Sequence, residues 1–382
     1  MGEKSKYSEE FQKRVQLFLD AAKFENKKVP NLSNDYTWKI YDAGVPYKEA
    51  YFKSKVMEKV VCENHERYQY DAYLDLGTRN HFPQMYALGG GSYVLNEETG
   101  GINVTDEPTL QPEKYEAFAE NPMPWFNILF QRKFPNLTTK QFVDATMAFL
   151  QGSGYAKDIA EKFAKKYNRP AMVTTSASVQ PAFELFHSSL RGIAGVSTDM
   201  RRHKKGLLAA CESYWEAMGR PSLQRALAAQ DKNYVADVYF AIIGQAVLNK
   251  KQFEEFYWPQ AKEILETTAE KGKLTYIYIE SVIGRFADYF QDVPKGSAIM
   301  HLETDDIFEI REKLPNMPLA GGMTTELLGG GTKEECVARA KKLIEELGPG
   351  YVMSQNKMLS FKNDCKRENQ LAVNEYTRSV TL

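Results

Sequence analysis

Hydrophobic and polar residues follow two different periods along the chain, and the change from one period to the other predicts its elements. Residues 8–24 place apolar side chains at helical spacing behind Ser8, a favourable N-cap residue. A second helical pattern covers residues 47–67. Beyond residue 70, short apolar runs alternate with helical stretches, which predicts βα units and a mainly parallel sheet.

The elements predicted after residue 70 are numerous enough to define the architecture. The predicted strands cover residues 71–77, 171–177, 235–243, 274–280, 297–303, 317–323 and 350–354, with a hairpin over 92–107. The predicted helices cover residues 138–166, 198–218, 251–271, 283–291, 305–313, 332–347 and 366–378.

This alternation predicts an α/β fold, a closed (β/α)₈ TIM barrel at residues 68–382 with an N-terminal helical extension at residues 1–67. The alternative is an open doubly wound sheet, whose usual sign is a GxGxxG motif that opens a helix. The glycine runs at 89–91 and 329–331 lack that strand-to-helix context. The pattern therefore favours the barrel.

Composition narrows the function classes. With 49 Lys+Arg against 50 Asp+Glu, the formal net charge of −1 predicts no nucleic-acid partner. No run approaches 18 uninterrupted apolar residues, so we expect no membrane span, and the N-terminus has no apolar signal region. The four cysteines are scattered without a CxxC pair, which is typical of reduced thiols in a cytoplasmic protein.

In a barrel of this kind, the reacting groups lie at the C-terminal ends of the strands. The polar and glycine residues at the predicted strand ends are Asp75, Arg79, Asn80, His81, Ser176, Ser178, Gln245, Tyr278, Glu280, His301, Glu303, Gly321, Gly322, Ser354, Gln355, Asn356 and Lys357. We expect substrate contacts from Asp75, Arg79, Asn80, His81, Trp125, Gln245 and Asn356.

His301 and Glu303 lie two residues apart in a predicted strand, so their side chains face the same side of the sheet. Together with Glu280 from the neighbouring strand, they form an N,O,O set that could hold zinc and leave a position open for substrate. Alternatively, Glu303 pairs with His301 or caps the following helix.

Glu280 ends an apolar and aromatic run, TYIYI. A carboxyl group in such surroundings is partly desolvated, which raises its pKa and suits it to general acid catalysis near neutral pH. The alternative is an ion pair with Arg285 or a nearby lysine.

Aromatic residues are concentrated in one part of the N-terminal third. They are Tyr68, Tyr70, Tyr73, Phe82, Tyr86, Trp125 and Phe126. Such residues form cores in most proteins, but a flat aromatic substrate would also be bound by aromatic walls. We expect the cluster between residues 68 and 126 to line the substrate pocket.

Four segments resemble the uroporphyrinogen decarboxylase superfamily and, within it, the cobalamin-dependent methyltransferase branch. They are YDAYLDLGTRNHFPQMYALGG (70–90), QPAFELFHSSLRGIAGVSTDM (180–200), FEEFYWPQAKEI (253–264) and LAGGMTTELLGGGTKEECVARAKKLIEELGPGYVMS (319–354). The last is the most specific, because its glycine-rich strand end and its Gly-Pro-Gly-Tyr-Val-Met-Ser run follow the family's order. The resemblance implies a (β/α)₈ barrel.

The resemblance also implies what this chain does not do. True uroporphyrinogen decarboxylases carry an N-terminal arginine-rich segment for a substrate with eight carboxylates, and this sequence has no equivalent. Thiol-methylating relatives bind zinc through a His-x-Cys motif and a further Cys. By resemblance, the matching positions here are Tyr278 and Glu280, with Lys357 near the third. Both a Cys-ligated zinc and a thiol acceptor are therefore in doubt.

The resemblance implies the methyltransferase component of an O-demethylase in anaerobic metabolism. It would take a methyl group from a methoxylated aromatic compound and pass it to the Co(I) corrinoid (cobalamin) of a separate corrinoid protein, with Glu280, Tyr278 and His301 as catalytic residues. Zinc held by Glu280, His301 and Glu303 could replace the acid. Alternatives are another methyl donor such as a methylamine, a related decarboxylase, and a non-catalytic binder of a flat ligand. The sequence leaves the oligomeric state open between a monomer and a homodimer.

Overall fold

Short parallel strands form the barrel that the alternation predicts. The computed structural model describes residues 6–90, 93–104, 108–230 and 232–382. In chain order the strands are β1 (Leu32–Ser33), β2 (Ala72–Tyr73), β3 (Tyr93–Leu95), β4 (Ile102–Val104), β5 (Val238–Ile242), β6 (Thr275–Ile279), β7 (Ala298–Leu302), β8 (Leu319–Met323) and β9 (Tyr351–Gln355). Strands β5 to β9 make one parallel sheet in that order, and β1 pairs in parallel with β2.

Single bridges close these two sheets into a ring. Asn31, next to β1, bridges Met353 of β9, whose N–H donates to the carbonyl oxygen of Pro30 at 2.9 Å. On the other side, Ala171 bridges both Tyr73 of β2 and Tyr234, which precedes β5. Residues 171–172 therefore act as the eighth strand, and the predicted (β/α)₈ fold is confirmed.

Helices surround the ring and connect its strands. They are α1 (Glu9–Ala22), α2 (Trp38–Asp42), α3 (Tyr47–Phe52), α4 (Ser54–Tyr68), α5 (Phe82–Ala87), α6 (Tyr115–Glu120), α7 (Met123–Lys133), α8 (Thr139–Lys162), α9 (Ala182–Leu185), α10 (Gly192–Arg202), α11 (Lys204–Tyr214), α12 (Arg220–Leu227), α13 (Lys250–Gln252), α14 (Trp258–Glu270), α15 (Ile307–Lys313), α16 (Thr325–Gly330), α17 (Lys333–Leu347) and α18 (Arg367–Ser379). None of these helices is long and apolar enough to cross a membrane.

Several predicted elements differ from the observed ones. The predicted strand at 71–77 is limited to Ala72–Tyr73, and the predicted helix at 198–218 is divided into α10 and α11. The predicted strand at 171–177 is reduced to its first two residues, because the Thr174 hydroxyl accepts from the Ser176 N–H and starts a 3₁₀ turn at Thr175–Ala177. The predicted helix at 283–291 is a 3₁₀ turn, Gly284–Phe290. The predicted hairpin is present as antiparallel β3 and β4, although its ends at residue 92 and at 105–107 lie outside the described residues.

The predicted division at residue 67 needs a correction. Strand β1 lies inside the predicted helical extension, yet it pairs with β2 and bridges to β9. Its two residues carry too little alternation to be recognised as a strand. The N-terminal segment therefore contributes a strand to the barrel as well as helices.

Helix α1 closes the floor of the barrel, at the N-terminal ends of the strands. Ser8 caps it as predicted, since its hydroxyl accepts from the Phe11 N–H at 3.1 Å. Phe18, Ala21 and Ala22 are buried in one cluster with inward-facing residues of the strands, such as Leu274. This packing excludes water from the floor and leaves the opposite end of the barrel as its mouth.

Strand alternation carries particular side chains from the interior to the mouth. Tyr276 and Tyr278 of β6 belong to the buried interior cluster, and the next position on the same side is Glu280. On β7, His301 is followed in the same way by Glu303. Because Tyr278 and His301 are register partners, the two carboxyl groups lie on neighbouring strand ends.

Replacing Phe18 by alanine should leave a cavity between α1 and the barrel floor. We expect Phe18→Ala to lower the free energy of unfolding by about 3–5 kcal/mol in urea denaturation. Lys13→Ala, at an exposed position of the same helix, is the control and should change it by less than about 0.5 kcal/mol. A Phe18→Ala protein as stable as the control would contradict the role of α1 as the floor.

Candidate active site

Glu303 is held at the mouth as a hydrogen-bond acceptor. The Tyr278 hydroxyl donates to Glu303 Oε1 at 2.8 Å and accepts from Asn34 Nδ2 at 3.2 Å. Burial raises the pKa of Glu303 above its ordinary value, although the Tyr278 hydrogen bond, the Lys357 charge and the Ser281 N–H offset part of this effect. These donors favour the charged form of Glu303 over that of a carboxyl group without them.

Glu280 lies beside Glu303 but has no comparable support. Its carboxyl group makes no hydrogen bond or ion pair with the residues that the structure describes. Burial raises its pKa, the charges of Glu303 and Glu184 raise it further, and Arg79 lowers it; the result is about 7. Glu280 is therefore the member of the pair that carries a proton near neutral pH.

The alternative of an ion pair between Glu280 and Arg285 is wrong. Arg285 Nη2 donates instead to the carbonyl oxygens of Gln245 and Ala246, at 2.7 and 2.9 Å. The guanidinium group thereby stabilises the loop after β5 and does not neutralise the acid. Near the Glu280 carboxyl, the positive charge that lowers its pKa comes from Arg79.

His301 is buried and uses both ring nitrogens within the protein. Nδ1 lies 2.6 Å from the Tyr276 hydroxyl, and Nε2 lies 2.9 Å from the carbonyl oxygen of Asn356. Nε2 must be the donor in the second pair, so the neutral ring accepts from Tyr276. Burial lowers its pKa to about 4, and its ring stacks on Tyr278 with centroids 4.6 Å apart.

The predicted zinc site does not fit these side chains. Both nitrogens of His301 are occupied, so it cannot bind a metal together with Glu280 and Glu303 without losing a buried hydrogen bond. In the described part of the chain, no three His, Cys, Asp or Glu residues are grouped to hold a metal ion. His301 instead positions Tyr278, and through it Glu303.

Asp75 lies under the loop after β2 and does not face the mouth. It forms a buried ion pair with Lys39 Nζ at 2.7 Å and accepts from the N–H groups of Gly77, Thr78 and Arg79 at 3.0–3.1 Å. Burial raises its pKa, but the Lys39 and Arg79 charges and these donors leave it below its ordinary value. The oxygens of Asp75 are thus used by Lys39 and by this loop, and its predicted substrate contact stays a prediction.

Arg79 projects from that loop into the mouth. Its Cζ lies 5.1 Å from the centroid of the Tyr239 ring, and its Nη1 lies 3.3 Å from the Met358 sulfur. Burial alone would lower its pKa, but Tyr239 and Asp75 outweigh that effect and raise it, so the guanidinium is charged. The predicted substrate contact of Arg79 stays a prediction.

Three other residues predicted to contact substrate donate side-chain hydrogen bonds to backbone carbonyl groups of the protein. Asn80 Nδ2 donates to the Tyr51 carbonyl at 2.6 Å, and Asn356 Nδ2 donates to the Glu303 carbonyl at 2.7 Å. Gln245 donates to the Glu280 carbonyl, which fixes the turn that carries the acid. Its buried Oε1 has no partner among the described residues. These hydrogen bonds give the three side chains structural roles, and their predicted substrate contacts stay predictions.

The last two predicted contacts lie on surface elements. His81 is exposed and stacks on Tyr93 of β3, with centroids 5.0 Å apart, so it connects the hairpin to the loop after β2. Trp125 lies on α7, where its indole N–H donates to the carbonyl of Ala117 at 3.1 Å and its ring packs against Phe118. These contacts attach Trp125 to α6, and none joins it to the strand-end carboxyl groups.

The predicted aromatic pocket wall is mostly core. Tyr68, Tyr70, Tyr73 and Phe82 are buried in the shell between the strands and the helices. The three tyrosine hydroxyl groups bond internally; that of Tyr73, for example, lies 2.6 Å from His65 Nδ1. The aromatic side chains that do border the acid pair are Tyr239 and Tyr278, from β5 and β6.

Sequence reasoning missed three residues of this site. Tyr239 alternates inward on β5, and its pKa is raised by burial and by Glu280 and Glu303 but lowered by Arg79, which places it among all three. Glu184 is buried and accepts from the N–H groups of Ile243 and Gly244 at 2.8 and 3.0 Å and from the Tyr257 hydroxyl at 2.6 Å. Asn34, the third, follows the unrecognised strand β1. A carboxylate inside the apolar FELF run was the available signal for Glu184.

Comparisons with known proteins agree with the barrel. A methyltransferase from Methanosarcina mazei has a similar structure, with a TM-score of 0.64, 17% sequence identity, and coverage of 96% of this chain and 98% of that one. At this identity the likeness concerns the fold. Among curated proteins, no sequence matches.

The family comparison covers more than half of the chain. The family model described as "Uroporphyrinogen decarboxylase (URO-D)" matches residues 150–362. This region includes strands β5 to β9, and with them Glu184, Glu280 and Glu303. The chain therefore belongs to the uroporphyrinogen decarboxylase family.

Proposed function

We propose that this protein is a methyltransferase that demethylates a methoxylated aromatic compound and passes the methyl group to the corrinoid of a separate corrinoid protein. The observation that carries the proposal is Glu280, at the mouth of a URO-D family barrel. Its carboxyl group has a pKa of about 7 and no hydrogen-bond or ion-pair partner among the described residues. The similarity in fold to an archaeal methyltransferase is consistent with it.

Ether cleavage explains why such an acid is needed. When the methyl–oxygen bond breaks, its electron pair stays on the aryl oxygen. An unprotonated phenoxide is a poor leaving group, whereas a phenol, formed when that oxygen is protonated, is a better one. Glu280 in its acid form donates that proton, so that a phenol leaves and Glu280 becomes a carboxylate. The partner's corrinoid would supply the Co(I) nucleophile that accepts the methyl group.

Glu303 and Tyr278 keep the proton on the right carboxyl group. Two neighbouring carboxyl groups repel each other when both are charged. Hydrogen bonds from Tyr278 and Ser281 stabilise the charge on Glu303. The proton is left to Glu280. In this proposal Tyr278 and His301 are positioning residues, since Tyr278 acts through Glu303 and His301 acts through its stacking on Tyr278.

Glu280→Gln should abolish proton donation and keep the shape of the site. We expect its rate of phenol release from methoxybenzenoids, with a corrinoid acceptor in the Co(I) state, to fall at least about 10²-fold. In the wild type the rate should decrease as the pH rises through about 7, because the acid form is lost. Glu312→Gln, at an exposed site on α15, is the control. A Glu280→Gln protein as active as this control would contradict the acid role, and a wild type inactive on all methoxybenzenoids would contradict the function.

Glu303→Gln tests the coupling between the two carboxyl groups. Removing the Glu303 charge removes one of the effects that raise the pKa of Glu280, so that pKa should fall. We expect the pH at which the rate is half-maximal to move down by about one pH unit. The measurement is the pH profile of phenol release in both proteins. An unchanged midpoint would show that Glu303 does not set the proton affinity of the acid.

A further inference from the structure

Arg79 differs from the other partly buried arginines in what its guanidinium group contacts. Among the residues that the structure describes, it forms no ion pair. Its polar contacts are the Met358 sulfur at 3.3 Å and the Tyr239 hydroxyl. The face of the group lies over the Tyr239 ring. A sulfur atom and an aromatic ring are weak partners for a cation with five N–H donors.

Other arginines of the chain satisfy the same donors more fully. Arg191 pairs with Asp199, and Arg220 pairs with Glu263. Where a carboxylate is lacking within the described residues, backbone oxygen replaces it: Arg285 donates to two carbonyl groups, and so does Arg311. Among the described residues, Arg79 has neither a carboxylate nor a backbone oxygen as acceptor. It interacts with the Tyr239 hydroxyl, and its other donors remain for a ligand.

The backbone of Arg79 is fixed while the end of its side chain is not. Its N–H donates to Asp75 Oδ1 at 3.1 Å, and its carbonyl oxygen accepts from the Tyr36 hydroxyl at 3.1 Å. Asp75 is itself held by the buried Lys39. The loop thus directs the guanidinium group into the mouth at little further cost in backbone entropy on binding.

The position of Arg79 relative to the acid matches a substrate with charge at one end. Its positive charge lowers the pKa of Glu280, so the two groups lie close enough for their charges to interact. The ring of Tyr239 lies under the Arg79 guanidinium group, and its pKa is also raised by the Glu280 charge, so Tyr239 lies near both groups. A flat ring lying along Tyr239 could place an anion on Arg79 and a methoxy oxygen near Glu280.

We propose that Arg79 binds a carboxylate on the substrate ring, so that the substrate class is the methoxylated aromatic acids. The proposal rests on the proposed function for the identity of the reaction, and on Arg79 for the charge of the ligand. A carboxylate can take two parallel N–H···O bonds from a guanidinium group, which explains an arginine here that has no carboxylate partner among the described residues. The carboxylate would also offset the effect of Arg79 on Glu280 and so favour the acid form.

Binding of neutral and charged isosteres tests the proposal without any corrinoid. The probes are the three positional isomers of methoxybenzoate and the matching methoxybenzamides, titrated into the wild-type protein by calorimetry. We expect at least one acid to bind about tenfold or more tightly than its amide. In Arg79→Gln this preference should vanish, and in Arg79→Lys part of it should remain. Arg202→Gln, at an exposed position on α10, should keep the full preference.

Turnover separates failure of this proposal from failure of the proposed function. If 1,2-dimethoxybenzene and the amides are demethylated as fast as the acids, the function stands and the role of Arg79 is overturned. If an acid binds through Arg79 but no methoxy compound is demethylated, the anion site stands and the function is overturned. Equal binding of acids and amides to the wild type would also overturn the proposal, whatever the variants do.

Discussion

The structure of the site depends on the repulsion between two carboxyl groups on neighbouring strand ends. Parallel register fixes Glu280 beside Glu303, and both are partly buried, so the charging of one opposes the charging of the other. Raising the pKa of Glu280 from 4.5 to about 7 corresponds to about 3 kcal/mol. Below pH 4.5 this repulsion does not lower the free energy of unfolding. As the pH rises through about 7, the free energy of unfolding decreases by up to that amount.

Rigid surroundings maintain this unfavourable arrangement. Ser281, directly after Glu280, has a φ of 66°, a left-handed conformation that costs a non-glycine residue about 1 kcal/mol. Gln245 holds the Glu280 carbonyl, and Glu184 holds the N–H groups of the preceding turn after β5. The acid therefore cannot relax toward water, and its proton affinity is a property of the fold.

Alternation in the sequence was sufficient to predict the barrel and the acid. The TYIYI run before Glu280 and the spacing of His301 and Glu303 are local features of the sequence. They were enough to predict that Glu280 is partly buried and that His301 and Glu303 lie on the same side of their strand. Long-range pairings could not be predicted in this way. Lys39, 36 residues before Asp75, donates to its carboxylate. The carbonyl oxygen of Asn356 accepts a hydrogen bond from His301 Nε2. Those two contacts make Asp75 structural and remove His301 from metal binding.

The most direct test of this account is the protonation state of Glu280 itself. Infrared difference spectra of wild type minus Glu280→Gln isolate the C=O band of a protonated carboxyl group at that position. The account predicts a carboxylic acid band that is present at pH 6 and disappears with a midpoint near pH 7. A spectrum that shows only carboxylate bands from pH 5.5 upward would contradict it.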